Sequence, residues 1–408
     1  MKPITMDMQN FNPPIVQGMV APGFEGVRQQ FEINFRQGRE LGAACTVYRR
    51  GERVVDLWGG YRDSRMRDPW LEDTLVLVFS TTKGLAAMTL ALAHSRGWLD
   101  YDERVATYWP EFAQRGKEKV TVRQLLSHQA GLCVVAEPLD IATLSDQERL
   151  SEILARQKPR WEPGVRQGYH AISLGLYEGE LIRRVDPRHR SLGRFFQDEI
   201  AGPLGIEFYI GLPASIPDER IAAIEMPGLF ELLFKRRNYA FAAAFLNPRS
   251  LSRRAFYNPP PGTGIDFRDH ENRGIEMPAA GGYGQVRAIA RAYSAFAEGG
   301  AELGLEQATF EALTAPPIPP EQGWRDLVLR SEVSFSLGFH RPHGKHQFGS
   351  TPRAFGTPGL GGSIGFADPD ACLGFAYAPN KMGFNQGNDS RLKDLEQALY
   401  RCLERLGA

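Results

Sequence analysis

Leu75-Val76-Leu77-Val78-Phe79-Ser80-Thr81-Thr82-Lys83-Gly84 is an apolar run that stops at a serine and restarts as a stretch of small and apolar residues reaching position 93. Five apolar residues in a row read as a buried strand, and the text after Gly84 reads as a buried helix. Ser80 and Lys83 are three apart at the helix start, so they lie one turn apart on one face. A serine hydroxyl is a poor nucleophile until a neighbouring base takes its proton. A lysine does this only as the free amine. Burial and the positive end of a helix dipole both push it toward that form. The stretch therefore predicts a nucleophile and its base at a strand-to-helix junction inside a domain. The reaction class is acyl transfer through an acyl-serine. A second S-x-x-K, Ser390-Arg391-Leu392-Lys393, has no apolar strand before it. It reads as the start of a polar C-terminal helix with Asp389 or Ser390 as N-cap.

The rest of the chain sets bounds on this reading. At 408 residues it holds one large domain or two intertwined ones. Lys and Arg (48) balance Asp and Glu (48), which speaks against a nucleic-acid surface. The first twenty residues lack a basic start followed by an apolar core, and no apolar run approaches the ~20 residues that span a bilayer. Cys45, Cys133, Cys372 and Cys402 are scattered, with no C-x-x-C, and read as free thiols in a reducing compartment. A cytoplasmic protein is expected.

Along the chain, residues 22–38 have amphipathic helical character. Residues 43–49 and 52–58 read as two strands joined at Arg50-Gly51, with Gly59-Gly60 ending the second. Helical patterns dominate from about 101 to 278, at 122–127, 146–155, 172–185 and 191–200. A helix is expected at 285–297, strands at 334–339, 363–367 and 372–377, and a helix at 390–406. This order predicts an α+β fold. Its sheet domain is built from residues 1–100 and 279–408, with helices packed on it, and residues 101–278 form a mainly helical lobe. The cleft between the two is the expected site. Residues 228–237, Gly-Leu-Phe-Glu-Leu-Leu-Phe-Lys-Arg-Arg, together with the aromatic stretch 239–245, read as a cap over that cleft rather than as a membrane-docking patch.

Further segments carry a resemblance. They are Glu40-Leu41-Gly42-Ala43 with Val55-Asp56-Leu57-Trp58-Gly59-Gly60; Ser80 to Lys83; Val120-Thr121-Val122-Arg123-Gln124-Leu125-Leu126-Ser127-His128 with Ala130-Gly131-Leu132; Trp161-Glu162-Pro163-Gly164; Gly168-Tyr169-His170-Ala171; Gly202-Pro203-Leu204-Gly205; and Gly359 through Pro369. In this order, across nearly the whole chain, they resemble the serine β-lactamase and penicillin-binding-protein superfamily, and within it the esterase branch of family VIII carboxylesterases. The resemblance implies a β-lactamase/transpeptidase-like fold with an antiparallel sheet flanked by helices. It implies Ser80 as nucleophile, Lys83 and Tyr169 sharing the proton work, and the backbone N–H groups of Ser80 and Leu360 as the oxyanion hole. It places His170, Thr357 and Gly359 at the substrate. Two departures matter. Ala171 stands where many relatives carry asparagine, and Thr357 stands where a cationic or imidazole residue is expected. Threonine has no charge to offer a substrate carboxylate, so a neutral ester or amide is favoured over a β-lactam.

Three other features invite a functional reading. Gly361-Gly362-Ser363-Ile364-Gly365 fits the nucleophile elbow G-x-S-x-G, but Pro369 follows soon and no helical pattern does, so a hairpin is expected. His340, His343 and His346 form an H-x-x-H-x-x-H run interrupted by Pro342 and Gly344, read as a polar loop rather than a metal site. His128 reads as structural support. The expectation is a serine carboxylesterase with no cofactor and no metal, acting on a small-molecule ester or amide. Neither nucleic acid nor membrane is expected as a partner, and oligomeric state is not legible. An acyltransferase using the same acyl-enzyme is the alternative. A weak β-lactamase or a non-catalytic binding protein stands behind it.

Overall fold

The computed structural model describes residues 16–226 except 64 and 66, then 239–258, 266, 268–383 and 389–407. A nine-stranded antiparallel sheet dominates it. The strands used below are β1 (Val16–Val20), β2 (Gly42–Arg49), β3 (Glu52–Asp63), β4 (Asp68–Pro69), β5 (Val76–Leu77), β6 (Phe208–Ile210), β7 (Gly282–Gly284), β8 (Ser334–Ser336), β9 (Phe339–Arg341), β10 (Phe355–Pro358), β11 (Ile364–Asp368) and β12 (Leu373–Pro379). The large sheet runs β1-β3-β2-β12-β11-β10-β9-β8, with β4 paired to β3. The two chain ends meet where β12 pairs with β2. A second, three-stranded sheet runs β5-β7-β6 and leads into Ser80.

Strand alternation sorts side chains onto two faces. Ala43, Cys45 and Val47 of β2, with Phe375 and Tyr377 of β12, face a core shared with helices α1 (Glu25–Arg36) and, at the far end of the chain, Ser390–Arg405. Ala44 of β2, with Ala376 and Ala378 of β12, faces the other core. That core holds α2 (Thr82–Ser95), α3 (Ser173–Val185) and α4 (Val286–Ala297); Ser390–Arg405 is α5. Small residues on this face let α4 lie close. A Cβ at Gly374 would sit 2.3 Å from Ala290 O, and one at Gly365 would sit 2.4 Å from the Tyr293 ring.

The predicted elements recur with shifted ends, and two expectations are corrected. Gly59-Gly60 does not end a strand, because β3 runs on to Asp63. Gly60, at φ +78°, lets the strand pass Leu41; a Cβ there would stand 1.9 Å from Leu41 O. Gly60 marks close backbone approach, not termination. The expected strand 334–339 is two short strands, turned at Leu337 (φ +51°) and Gly338 (φ +89°). Residues 359–363 form the turn of the expected hairpin between β10 and β11, with Thr357 opposite Gly365. The predicted cap segment 228–237 lies outside the described residues. Of its continuation, a helix spans Tyr239–Leu246, and the rings of Phe241 and Phe245 pack on Phe256. No helix of the described residues is long and apolar enough to cross a membrane.

The start of α5 organises one edge of the site. Asp389 caps it by accepting from Arg391 N at 2.9 Å. Buried Arg391 then binds Asp389 (2.7 and 2.9 Å), Glu40 (3.1 Å) and the carbonyls of Lys381 (2.8 Å) and Gly361 (3.0 Å). Glu40 also accepts from the Tyr377 hydroxyl. Gly361 belongs to the turn after Leu360, so one guanidinium ties that turn to both chain ends. Removing one partner of a buried ion network costs about 3–5 kcal/mol, because the others stay buried and unpaired. Arg391→Met is therefore expected to lower the urea midpoint by that equivalent, whereas Lys393→Met, on the half-buried flank of the same helix, should leave it nearly unchanged.

Candidate active site

Ser80 lies on a single 3₁₀ turn, Phe79–Thr81, between β5 and α2. Phe79 is held at φ +47°, a sterically costly conformation for a residue with a side chain. Its neighbours hold the turn in place. Val78 N–H donates to Gly282 O (3.0 Å), Gly282 N–H donates to Thr82 Oγ1 (2.9 Å), and Thr82 Oγ1 donates to Phe79 O (2.5 Å). Ser363 Oγ donates to Val78 O (2.9 Å) and lies 3.0 Å from Thr81 Oγ1. Ser363 thus braces the turn that carries Ser80.

Lys83 is 1% exposed. Its Nζ donates to Ala171 O and Ala279 O, both at 2.7 Å, and stands 3.3 Å from Ser80 Oγ. A neutral amine has two N–H groups and one lone pair. The two carbonyls take the two N–H groups, which leaves the lone pair for the serine hydroxyl. Burial pulls the lysine down to about 7, against the opposing pull of the Glu178 carboxylate. Nζ also lies 4.8 Å from the centroid of the Tyr169 ring. Tyr169 is fully buried, stacked on Phe335 (5.8 Å between centroids) and bordered by His128 (5.0 Å) and His340 (6.0 Å).

The remaining predicted residues divide. Leu360 is 46% exposed at the turn after β10. Among the described residues, neither its N–H nor that of Ser80 has a partner within the chain. A Cβ at Gly359 would meet Ser363 Oγ at 2.1 Å and Val78 O at 2.4 Å, so this position admits only glycine. Gly359 N–H donates to Ser363 O (2.7 Å), which brings the 359–363 turn against the Ser80 turn. His170 was expected at the substrate, but it is fully buried. Its Nε2 accepts from Leu132 N–H (3.0 Å), and Nδ1 lies 2.7 Å from Gly168 O. Both ring nitrogens are therefore occupied, and burial pushes its pKa down to about 3. Thr357 is also fully buried; a Cβ at Gly84 would come within 3.1 Å of its Oγ1 and 1.8 Å of the Tyr293 hydroxyl. It sits behind the start of α2. A bare glycine follows Lys83 because these two hydroxyls crowd the helix there.

His128 Nδ1 accepts from His170 N–H (3.0 Å), and burial holds the ring neutral, well below the ordinary histidine range. The histidine run is not one polar loop. His340 is buried in β9 against Tyr169, while His343 and His346 pair through their backbones beyond it. Among the described residues no group of His, Cys, Asp or Glu is arranged to hold a metal ion. His340, expected in a loop, and Glu178, not singled out in the sequence, both border the site. Strand alternation signals the first, and a lone charge in Leu174-Gly175-Leu176-Tyr177-Glu178 signals the second. A cavity of about 450 Å³ lined by Gly175, Gly179, Glu180 and Glu276 contains none of the predicted site residues.

A serine on a strained turn, with a buried lysine beside it, on an antiparallel sheet flanked by helices, defines the class of serine β-lactamase-fold enzymes. The Beta-lactamase family model matches residues 21–399, and the chain belongs to that family. Esterase/beta-lactamase LipL of Mycobacterium tuberculosis is 32% identical over 374 residues, 90% of this chain and 83% of LipL. The crystal structure of a family VIII carboxylesterase superposes with TM-score 0.83 at 39% identity, covering 95% of this chain and all of that one. EstA from Arthrobacter nitroguajacolicus Rue61a gives 0.81 at 30% identity, covering 97% of this chain and all of EstA. The chain is a serine hydrolase of the carboxylesterase type.

Proposed function

We propose that the protein hydrolyses small neutral carboxylic esters through an acyl-Ser80 intermediate. The approach of Lys83 Nζ to Ser80 Oγ (3.3 Å), with both hydrogens of the neutral amine committed to two carbonyls, carries this reading. Ser80 Oγ attacks the ester carbonyl as its proton passes to neutral Lys83. The oxyanion takes hydrogen bonds from the N–H groups of Ser80 and Leu360. Collapse breaks the bond to the leaving alkoxide, which receives the proton back from Lys83 with Tyr169 as relay. Water then repeats the cycle and releases the acid and free Ser80.

Neutral substrates follow from Thr357. An uncharged, enclosed side chain offers nothing to a substrate carboxylate. The expected result is steady turnover of p-nitrophenyl acetate or butyrate, with nitrocefin hydrolysed at least about 100-fold more slowly, the order of loss when one charge-assisted contact goes missing. Faster nitrocefin turnover would overturn the substrate class while leaving the nucleophile in place. Acyl transfer to an alcohol remains the second reading, since nothing in the site selects water. The four cysteines are free, which supports a reducing, cytoplasmic setting.

A further inference from the structure

Glu178 lies in the middle of α3 and is fully buried; among the described residues neither carboxyl oxygen has a hydrogen-bond partner. Buried carboxyls normally satisfy their oxygens, so an orphan calls for a reason. Its position offers one. Glu178 stands on the helix that begins two residues after Ala171, whose carbonyl holds Lys83. Across from it on α2, Ala87 lies one turn beyond Lys83 on the same face. The third wall is the β8–β9 turn. A Cβ at Gly338 would meet Ala87 Cβ at 2.6 Å and Glu178 Oε1 at 3.3 Å, so the bare glycine leaves room for the carboxyl.

We propose that Glu178 is a positioning residue for Lys83, a buried carboxyl that acts on the lysine through its charge across the α2–α3 packing, without a direct hydrogen bond. This rests on the reading of Lys83 as the base of the reaction. When Lys83 receives the Ser80 proton, an ammonium forms in an apolar interior. A carboxylate alongside keeps that ion from being an isolated buried charge. With Glu178 as the carboxylate and Lys83 as the free amine the two carry a net charge of −1; the Ser80 proton brings them to zero, and its return to the leaving alkoxide restores −1. The groups around the pair leave this role to Glu178. Among the described residues, Lys83 is the charged group that acts on Glu178, and burial lifts Glu178 to about 8. The other groups around Lys83 are the Tyr169 ring and the imidazoles of His128, His170 and His340, all three held neutral by burial.

The test is Glu178→Gln, read in two ways. In full-length protein carrying Ser80→Ala, ¹³Cε-lysine NMR follows the titration of Lys83 directly. Loss of the carboxylate should move the Lys83 midpoint down by about one pH unit or more. In the otherwise wild-type enzyme, the acid limb of kcat/KM for p-nitrophenyl acetate should move down with it. One pH unit below the wild-type midpoint, the variant would then be up to about tenfold faster relative to its own plateau. A Lys83 midpoint that stays put overturns the proposal, whatever the activity does. A midpoint that moves without the acid limb upholds the pairing and overturns Lys83 as base. Where the unpaired Gln amide prevents folding, Glu178→Met removes the charge without leaving a polar group, and the same two readings apply.

Discussion

Ser80→Ala should abolish ester turnover, with kcat falling by roughly 10⁴–10⁶-fold, the range seen when a nucleophile that acts as one unit with its base is removed. The loss should be confined to chemistry, because Ser80 makes few structural contacts: its hydroxyl meets Lys83 Nζ, and the turn is held by Val78, Thr82 and Ser363. The melting temperature should therefore change little. Ser363→Ala is the paired control. Ser363 fits a nucleophile motif, but its hydroxyl is spent on Val78 O and Thr81, with no base beside it. That variant should keep much of the activity and lose some stability, since Val78 O would lose a buried donor. Intact-protein mass spectrometry after exposure to a fluorophosphonate decides between them. A single adduct on wild type and on Ser363→Ala, and none on Ser80→Ala, is the expected pattern. An adduct that survives Ser80→Ala would sink the assignment.

The second large effect belongs to Lys83. Its buried amine is pulled down to about 7, and only the free base accepts the Ser80 proton. Below the midpoint the lysine is an ammonium, so kcat/KM should fall tenfold for each pH unit of acidification. Above it the profile should level off. The limb is thus an acid-side loss centred near 7, carried by a residue whose ordinary value lies above 10. Because Glu178 is coupled to Lys83, the apparent midpoint belongs to the pair. Lys83→Ala should cost about 10²–10⁴-fold at the plateau, the usual worth of a positioned base. What remains should no longer show the limb. A wild-type profile flat from pH 5 to 9 would exclude Lys83 as the group that must be deprotonated.

How legible each part was follows from its distance along the chain. Ser80 and Lys83 were readable from local text because a helix places residues three apart on one face. The strands at 43–49 and 52–58 were readable from the turn at Arg50-Gly51 between them. The end of β3 was not, since a glycine pair looks the same whether it terminates a strand or lets one pass another backbone. His170 shows a similar ambiguity: next to Tyr169 in sequence, its ring turns inward to Leu132 and Gly168. Thr357 was legible as a departure, but not as a side chain enclosed behind α2.

The sequence by itself singled out the Ser80–Lys83 pair proposed to react, the strands contributed by both chain ends and, through resemblance, the family. Each rests on short-range periodicity or on motif text that survives without coordinates. Only the tertiary structure decided the protonation chemistry. Lys83 meets Ala171 at a separation of 88 residues and Ala279 at 196. Its orphan carboxyl neighbour reaches it from a third segment. A lysine is made a base by the water it loses and the charges brought near it, and both are set by segments that meet only when the chain has folded.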